Sequence, residues 1–355
     1  MDLEEVIRKV KDCGRITMVV GSSDTGKTAL ITSLANGLWS IGRTSGVVDA
    51  DIGQSTVGPP TTIGLGVIHS PVQYLSQAEL KGIYFVGSTS PKGHLLPQVV
   101  GTKKMVDKAL KMGFDHILVD TTGLVEGPLG QELKGHKIEL IDPSLIIFLQ
   151  HQSECGSLLQ RFQSCSGAHV LVLPPSPKVR NKSPAERKEY REKAFLSYFA
   201  GSTIRKLQLK NLYLVDFPFL TGLPASESER ILLSEIVGEE VVWAETFQDE
   251  VHIVTSNPMI NGYEKVISRE IHATTVHTHT VDEFENILVG CHDGRGECYS
   301  LAIVRRADFG SLDFEVEIAH DKEEPRGLKF SRYRIDQNGS GCIVCGNMSG
   351  KSLRH

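Results

Sequence analysis

Residues 15–28 read Arg15-Ile-Thr-Met-Val-Val20-Gly21-Ser22-Ser23-Asp24-Thr25-Gly26-Lys27-Thr28. Arg15–Val20 has the composition of a buried strand, Gly21–Thr28 is a glycine-bearing loop, and Thr28–Leu38 has helical character. The loop fits Gly-x4-Gly-Lys-Thr, in which backbone N–H groups curl around phosphates and the following helix offers its positive end. In this pattern Lys27 reaches the β/γ-phosphates and Thr28 ligates Mg²⁺. Four fixed positions in a chain of 355 residues arise by chance about once in 100 such sequences. Gly21, Ser22, Ser23, Asp24, Thr25, Gly26, Lys27 and Thr28 are therefore expected to bind a nucleotide.

Outward from this loop, Leu3, Val6, Ile7 and Val10 lie at helical spacing before Gly14, so a short amphipathic helix precedes the first strand. Downstream, strands are expected at Ser45–Asp49, Gly82–Val86, His116–Asp120, Ser144–Leu149 and His169–Leu173, with helix-like segments such as Thr102–Met112 between them. Alternation of this kind predicts an α/β fold, a mostly parallel P-loop sheet covered by helices, over 1–202. Pro174-Pro175-Ser176-Pro177 opens a stiff loop and a charged helix follows from Pro184 to Phe199, so 174–200 is read as a lid. Beyond Gly201 the pattern turns to strands at Leu207–Val215, Val241–Ala244, Val251–Thr255, Asn286–Val289, Tyr299–Arg305 and Phe314–Ile318, with turn signals at Asp293-Gly294 and Asn338-Gly339. A smaller β-rich domain is expected over 203–340, and mobility is expected of the Gly- and Ser-rich tail, 341–355.

Composition narrows the class. Hydrophobic residues at 40% and charged residues at 23% exclude a disordered or collagenous chain. The longest apolar stretch, Leu145–Leu149, is far too short to cross a bilayer, and Met1–Glu5 has no basic n-region, so a cytoplasmic protein without membrane attachment is expected. Thirty-eight Lys+Arg against 43 Asp+Glu give a net charge of −5, so any contact with nucleic acid must use a local basic patch. Seven scattered cysteines, an odd number, fit reduced thiols.

Three further segments carry chemistry. Asp49-Ala50-Asp51-Ile52-Gly53-Gln54-Ser55 ends the second strand, where a carboxylate faces the ligand crevice and could activate an acceptor hydroxyl or hold Mg²⁺ through water; two solvated aspartates in a turn is the alternative. Ile117-Leu-Val-Asp120-Thr121-Thr122-Gly123 places Asp120 as a second metal-side carboxylate, and it also fits the Asp-x-x-Gly switch of GTPases. No Asn-Lys-x-Asp guanine-reading motif accompanies it, since Asn181-Lys182-Ser183-Pro184 fails at its last position. From Lys178 to Lys193 seven basic residues face three acidic ones, and Arg187 and Arg191, four apart, share a helix face. Such a run is either a solvated face or, after a Pro-rich hinge, a lid that brings cationic charge to a transferring phosphoryl group.

Taken together, the loop with Asp24 inside it, Asp-x-Asp-x-Gly-Gln, Thr-x-Gly and Arg-x-x-x-Arg resemble the polynucleotide 5′-hydroxyl kinase family. Its members include the RNA kinase of the pre-messenger-RNA cleavage machinery, a ribosomal-RNA-processing kinase and short microbial relatives. Phe217-Pro-Phe-Leu-Thr-Gly-Leu-Pro224 and the segment Asn286–Gly296 resemble the small C-terminal domain of the microbial relatives. The resemblance implies an ATP-dependent kinase for the 5′-hydroxyl end of RNA, DNA or both. ATP and Mg²⁺ would be held by Lys27 and Thr28, Asp51 and Asp120 would serve the acceptor or the metal, Gln54, Thr121 and Gly123 would contact the acceptor, and Arg187 and Arg191 would form the lid. Catalysis would then rest on Lys27, Asp51, Arg187 and Arg191. The family's clasp commonly reads Thr-x-Gly-Trp, and Leu124 here removes a base-stacking surface worth about 1–3 kcal/mol. About 14 residues precede the first strand, so the N-terminal β-domain of larger relatives is not expected. The alternatives are a P-loop GTPase or metal-cofactor chaperone, and a non-catalytic ATP-binding RNA-processing scaffold; no protein partner is assigned.

Two features are not assigned chemistry. Cys342-Ile-Val-Cys345 with Cys291 and Cys298 lacks a usual zinc-knuckle spacing, and His272, His277 and His279 are expected at the surface of a strand.

Overall fold

The structure, a computed structural model, describes every residue except 166, 178, 259–262, 272 and 344–355. The chain forms two compact units, Met1–Tyr198 and Phe199–His355.

The first unit contains strands β1 (Ile16–Gly21), β2 (Ser45–Ala50), β3 (Thr62–Val67), β4 (Glu79–Phe85), β5 (His116–Thr121), β6 (Leu145–Leu149) and β7 (His169–Leu173). Helices α1 (Leu3–Cys13), α2 (Lys27–Ser40), α3 (Leu95–Lys111), α4 (Gly127–Ile141), α5 (Gly156–Cys165) and α6 (Pro184–Tyr198) accompany them. The sheet order is β4-β3-β2-β5-β1-β6-β7. Strands β2, β5, β1, β6 and β7 run parallel; at one edge β3 pairs antiparallel with β2, and β4 antiparallel with β3.

All six residues of β1 are buried, because helices cover both faces. Met18 and Val20 pack with Met105, Ile138 and Leu158 on one side. Val19, between them, faces Val6, Ile31 and Leu34 on the other. That alternation along a strand is what two-sided burial requires. Strand β3 is not among the segments singled out from sequence: Thr62-Ile-Gly-Leu-Gly-Val67 carries two glycines, which depress strand propensity. Gly64 is needed there, since a Cβ at that position would overlap the Val57 carbonyl oxygen.

The register places the ends of three neighbouring strands together. Asp49 on β2 is the partner of Asp120 on β5, and β5 in turn pairs with β1, from which the phosphate loop departs. A parallel sheet presents its ligand crevice at these strand ends.

The second unit holds β8 (Thr203–Gln208), β9 (Tyr213–Val215), β10 (Leu223–Pro224), β11 (Val241–Phe247), β12 (Glu250–Thr255) and β13 (Thr275–Thr280). It continues with β14 (Ile287–His292), β15 (Cys298–Asp308), β16 (Asp313–Ile318), β17 (Gly327–Ile335) and β18 (Gly341–Ile343), and with helices α7 (Glu227–Val237) and α8 (Glu264–Glu270). One sheet has the order β18-β17-β14-β15-β16-β8 with β9 beside β17, and the other β10-β11-β12-β13. The aromatic rings of Phe217, Phe219, Phe284, Phe309, Phe314 and Phe330 fill its main core.

Three expectations are corrected here. Leu207–Val215 is not one strand, because a 3-10 turn at Leu209–Asn211 separates β8 from β9 and sends them to opposite regions of the sheet. The presumed tail begins with a strand, Gly341–Ile343, paired antiparallel with β17; residues 344–355, Cys345 among them, lie outside the described residues. His277 and His279 are buried rather than superficial, since His277 stacks on His252 and His279 packs against Phe219 and Phe284; His272 lies outside the described residues. Glu250, His252 and His277 bring ligand atoms within 4.8 Å of one another. The two imidazoles stack at 4.4 Å with only 17° between their planes, so a cation in the plane of one ring lies out of the plane of the other. Cys291 and Cys298 are buried thiols, whereas Cys342 is exposed. Among the described residues no helix is long and apolar enough to cross a membrane.

Candidate active site

The phosphate loop owes its shape to residues that accept unusual backbone angles. Gly26 caps α2 at φ +88° and Asp24 adopts φ +55°, while Thr25 Oγ1 donates to the Ser22 carbonyl at 2.9 Å. A Cβ on Gly21 would lie 2.5 Å from the Leu149 carbonyl oxygen, so only glycine permits this approach of the loop to β6. Lys27 is buried and donates from Nζ to the Ser22 carbonyl at 2.7 Å. Thr28, in the first turn of α2, donates from Oγ1 to Asp120 Oδ2 at 2.6 Å.

Three carboxylates meet at the ends of β2 and β5. Asp120 is almost fully buried; burial and then the charge of Asp49 push its carboxyl up to about 7. Asp49 is equally buried and its carboxyl is raised, chiefly by burial. It accepts from the backbone N–H of Asp51 (3.0 Å), Thr56 (2.6 Å) and Val57 (3.0 Å) and from the Thr56 hydroxyl (2.9 Å), so it ties down the loop after β2. Asp51 is half-buried, and its Oδ1 accepts from Gly53 N and Gln54 N, both at 3.1 Å. Its other oxygen has no hydrogen-bond partner among the described residues. The two aspartates of the Asp-x-Asp motif therefore differ: Asp49 is saturated and structural, whereas Asp51 keeps one oxygen without a partner among the described residues.

The Thr121-Thr122-Gly123 turn lies against the phosphate loop. Thr121 Oγ1 donates to the Val19 carbonyl at 2.8 Å, so its hydroxyl is committed to β1. A Cβ on Gly123 would sit 2.5 Å from the backbone nitrogen of Ser23, which explains the glycine.

Helix α6 starts at a reciprocal cap, with Ser183 N donating to Glu186 Oε2 and Glu186 N to Ser183 Oγ. Arg187 Nη2 pairs with Asp24 Oδ2 at 2.5 Å, and Lys182 N donates to the same oxygen at 3.1 Å. Lys182 Nζ lies 3.5 Å from Gln54 Oε1, and the Tyr190 hydroxyl donates to the Ser55 carbonyl at 2.8 Å. The segment thus touches both the phosphate loop and the Asp51 loop. Arg191, half-buried, has no ion-pair partner among the described residues; Lys178 lies outside them.

Sequence reasoning missed Tyr190, Lys182, and two lysines of α4. Lys134 and Lys137 are fully buried. They stand in the inward stripe Gly130, Leu133, Lys134, Lys137, Ile138, Ile141, where spacing calls for apolar residues. A charge inside such a stripe was the available signal. Beside Thr25 and Gly26 a recess of about 440 Å³ opens, walled by Leu3, Val6, Leu30, Leu149, Leu173 and Pro174.

Comparison with known proteins agrees with this architecture. The family model for the mRNA cleavage and polyadenylation factor CLP1 P-loop matches residues 21–201. The polyribonucleotide 5′-hydroxyl-kinase of Thermococcus kodakarensis is 32% identical over 324 residues, 91% of this chain and 88% of the relative. That of Methanocaldococcus jannaschii is 30% identical over 343 residues, 95% of this chain and 92% of the relative. Among solved structures, the Clp1p–Pcf11p complex shares the fold at TM-score 0.62 and 13% identity, covering 94% of this chain and 78% of that one. The chain belongs to the CLP1 P-loop family, together with these polyribonucleotide kinases.

Proposed function

We infer that the protein is a polyribonucleotide 5′-hydroxyl kinase that uses ATP. The observation that carries this reading is the meeting of four elements at adjacent strand ends: the phosphate loop with Lys27 and Thr28, the Asp120 carboxylate, the open oxygen of Asp51, and Arg187 on the overlying helix. A phosphoryl transferase needs exactly such placed charges and little covalent chemistry. The recess next to Thr25 is mixed, with Leu30, Leu149, Leu173 and Pro174 offering apolar surface to a purine face and Asp2, Ser33 and Ser176 polar groups to its edge, and the absence from the sequence of an Asn-Lys-x-Asp motif favours adenine over guanine.

In this account Gly21–Thr28 cradle the triphosphate, and Lys27 exchanges the Ser22 carbonyl for phosphate oxygens. Asp51 holds the acceptor 5′-hydroxyl and takes its proton while the hydroxyl oxygen bonds to the γ-phosphorus and the bond to the ADP oxygen breaks. Arg187, released from Asp24, meets the charge that grows on the transferred group. Arg191 is its second cation, and 174–200 acts as the lid of a kinase domain over 1–202, with 203–340 as a separate β-rich domain. Gln54, Thr121 and Gly123 border the acceptor end, Thr121 through its backbone.

The donor set fits Mg²⁺: the Thr28 hydroxyl and Asp120 carboxylate are hard oxygen ligands, Asp51 stands nearby, and the negative charge of Asp49, which after burial helps to raise Asp120, is charge that a divalent cation relieves. When bound, the ion would neutralise charge on the phosphate oxygens. Incubating the protein with ATP or GTP and a 5′-OH oligoribonucleotide tests the assignment. ATP should give a 5′-phosphorylated product; GTP hydrolysis without product would establish the GTPase alternative.

A further inference from the structure

Helix α4 carries a charge that packing alone does not require. Lys134 Nζ is fully buried and donates to the Thr122 carbonyl at 2.6 Å and to the Thr122 hydroxyl at 2.8 Å. Withdrawing an ammonium from water costs several kcal/mol, whereas a methionine or leucine would fill the same slot without that penalty. The charge facing it is mixed: burial is the largest cause of its lowered proton affinity, Lys137 and Lys27 add to the fall, and Asp51 and Asp120 oppose it.

What the ammonium grips is informative. Thr121 is fastened to β1 through Val19, and Gly123 abuts Ser23 of the phosphate loop. Lys134 fixes the residue between them by both its carbonyl and its hydroxyl, so the turn is held from three directions.

We propose that Lys134 is a positioning residue for phosphoryl transfer, holding the Thr121-Thr122-Gly123 turn against the phosphate loop so that the acceptor end stays in register with the nucleotide phosphates. This rests on the reading in which that turn borders the acceptor. Lys134 makes no contact with substrate; it acts through Thr122. A misplacement of the turn by about 1 Å suffices to cost about 100-fold in rate.

The test compares Lys134→Met, Thr122→Val and the double variant with the parent protein. Acceptor kinetics use a 5′-OH oligoribonucleotide, and ATP affinity is titrated separately. Lys134→Met should lower kcat/KM for the acceptor about 100-fold while ATP affinity stays within about threefold. Thr122→Val, which removes one of the two acceptors, should lose about tenfold. The double variant should be no worse than Lys134→Met alone, because both act through one contact. A purely structural lysine would instead lower the melting temperature and leave kcat/KM per folded molecule within about twofold of the parent, overturning the proposal. Should Lys134→Met fail to fold, Thr122→Val decides, parental acceptor kinetics again refuting it. Gly123→Ala, whose Cβ would strike Ser23, checks the underlying reading. If it leaves acceptor turnover intact the turn has no acceptor role; if it slows turnover and Lys134→Met does not, only the positioning role falls.

Discussion

Replacing Lys137 by methionine should change how stability depends on pH. The Lys137 ammonium is fully buried with no hydrogen-bond partner among the described residues. Burial brings its proton affinity down from 10.5 to about 7, with Asp51 and then Asp49 opposing the fall. Between those values the unfolded chain binds a proton that the folded chain does not, so stability rises with pH across that window, and below about 7 the penalty is complete and constant. Each pH unit in the window contributes about 1.36 kcal/mol. From pH 7.5 to 9.5 the parent should therefore gain about 2–3 kcal/mol more than Lys137→Met. Lys134 is also shifted and is present in both proteins; burial is the largest cause of its fall and persists in the variant, while Lys137 adds a smaller part. At pH 7.5 the variant should be at least as stable as the parent, since folding the parent strips most of the proton from a lysine that holds it in the unfolded chain, a cost that an apolar methionine of similar size does not carry. The assay is urea unfolding followed by Trp39 fluorescence in a Trp243→Phe background, the chain's other tryptophan lying in the second unit. Parallel pH profiles for parent and variant would refute the reasoning and place the Lys137 ammonium in contact with water or a counter-ion.

Lys27→Ala should weaken ATP binding and abolish transfer, whereas Asp51→Asn should abolish transfer with ATP binding largely intact; equilibrium titration of both variants separates the two roles. Arg187→Ala should slow single-turnover transfer at saturating substrates by at least about 100-fold, with 10³–10⁵ as the ceiling known for arginine fingers, and Arg187→Lys should recover only part. Asp49→Asn should lower stability by about 1–3 kcal/mol, because whichever way the amide turns its nitrogen faces a backbone N–H, that of Asp51 or those of Thr56 and Val57; denaturant titration measures it.

The sequence was legible where local chemistry and position coincide. The phosphate loop announces itself because glycine, lysine and threonine sit at fixed spacings between an apolar strand and a helix, and Asp51 and Asp120 stand out because each ends an apolar run. Contacts distant in sequence were not legible. That Arg187 pairs with Asp24, or that Tyr190 reaches Ser55, depends on how α6 returns over the loops, which no local pattern encodes. Asp49 and Asp51 look alike in sequence, and only the loop they organise separates a saturated carboxylate from an open one. In the second unit, Gly327–Ile335 hides as a strand because Lys329, Arg332 and Arg334 interrupt its apolar residues, and β13 hides because two of its three buried residues are histidines among threonines. The lysines of α4 were visible only as charged letters in an apolar stripe, where helical periodicity points inward and residue type points to solvent.

The most direct test of the account is transfer of label from γ-labelled ATP to paired oligoribonucleotides that differ only at the 5′ end, with the DNA counterparts alongside to fix the sugar preference. The account predicts label on the 5′-OH RNA, none on the 5′-phosphorylated strand, and none on either with Asp51→Asn. Folded parent protein that binds ATP yet labels no 5′-OH end would contradict it.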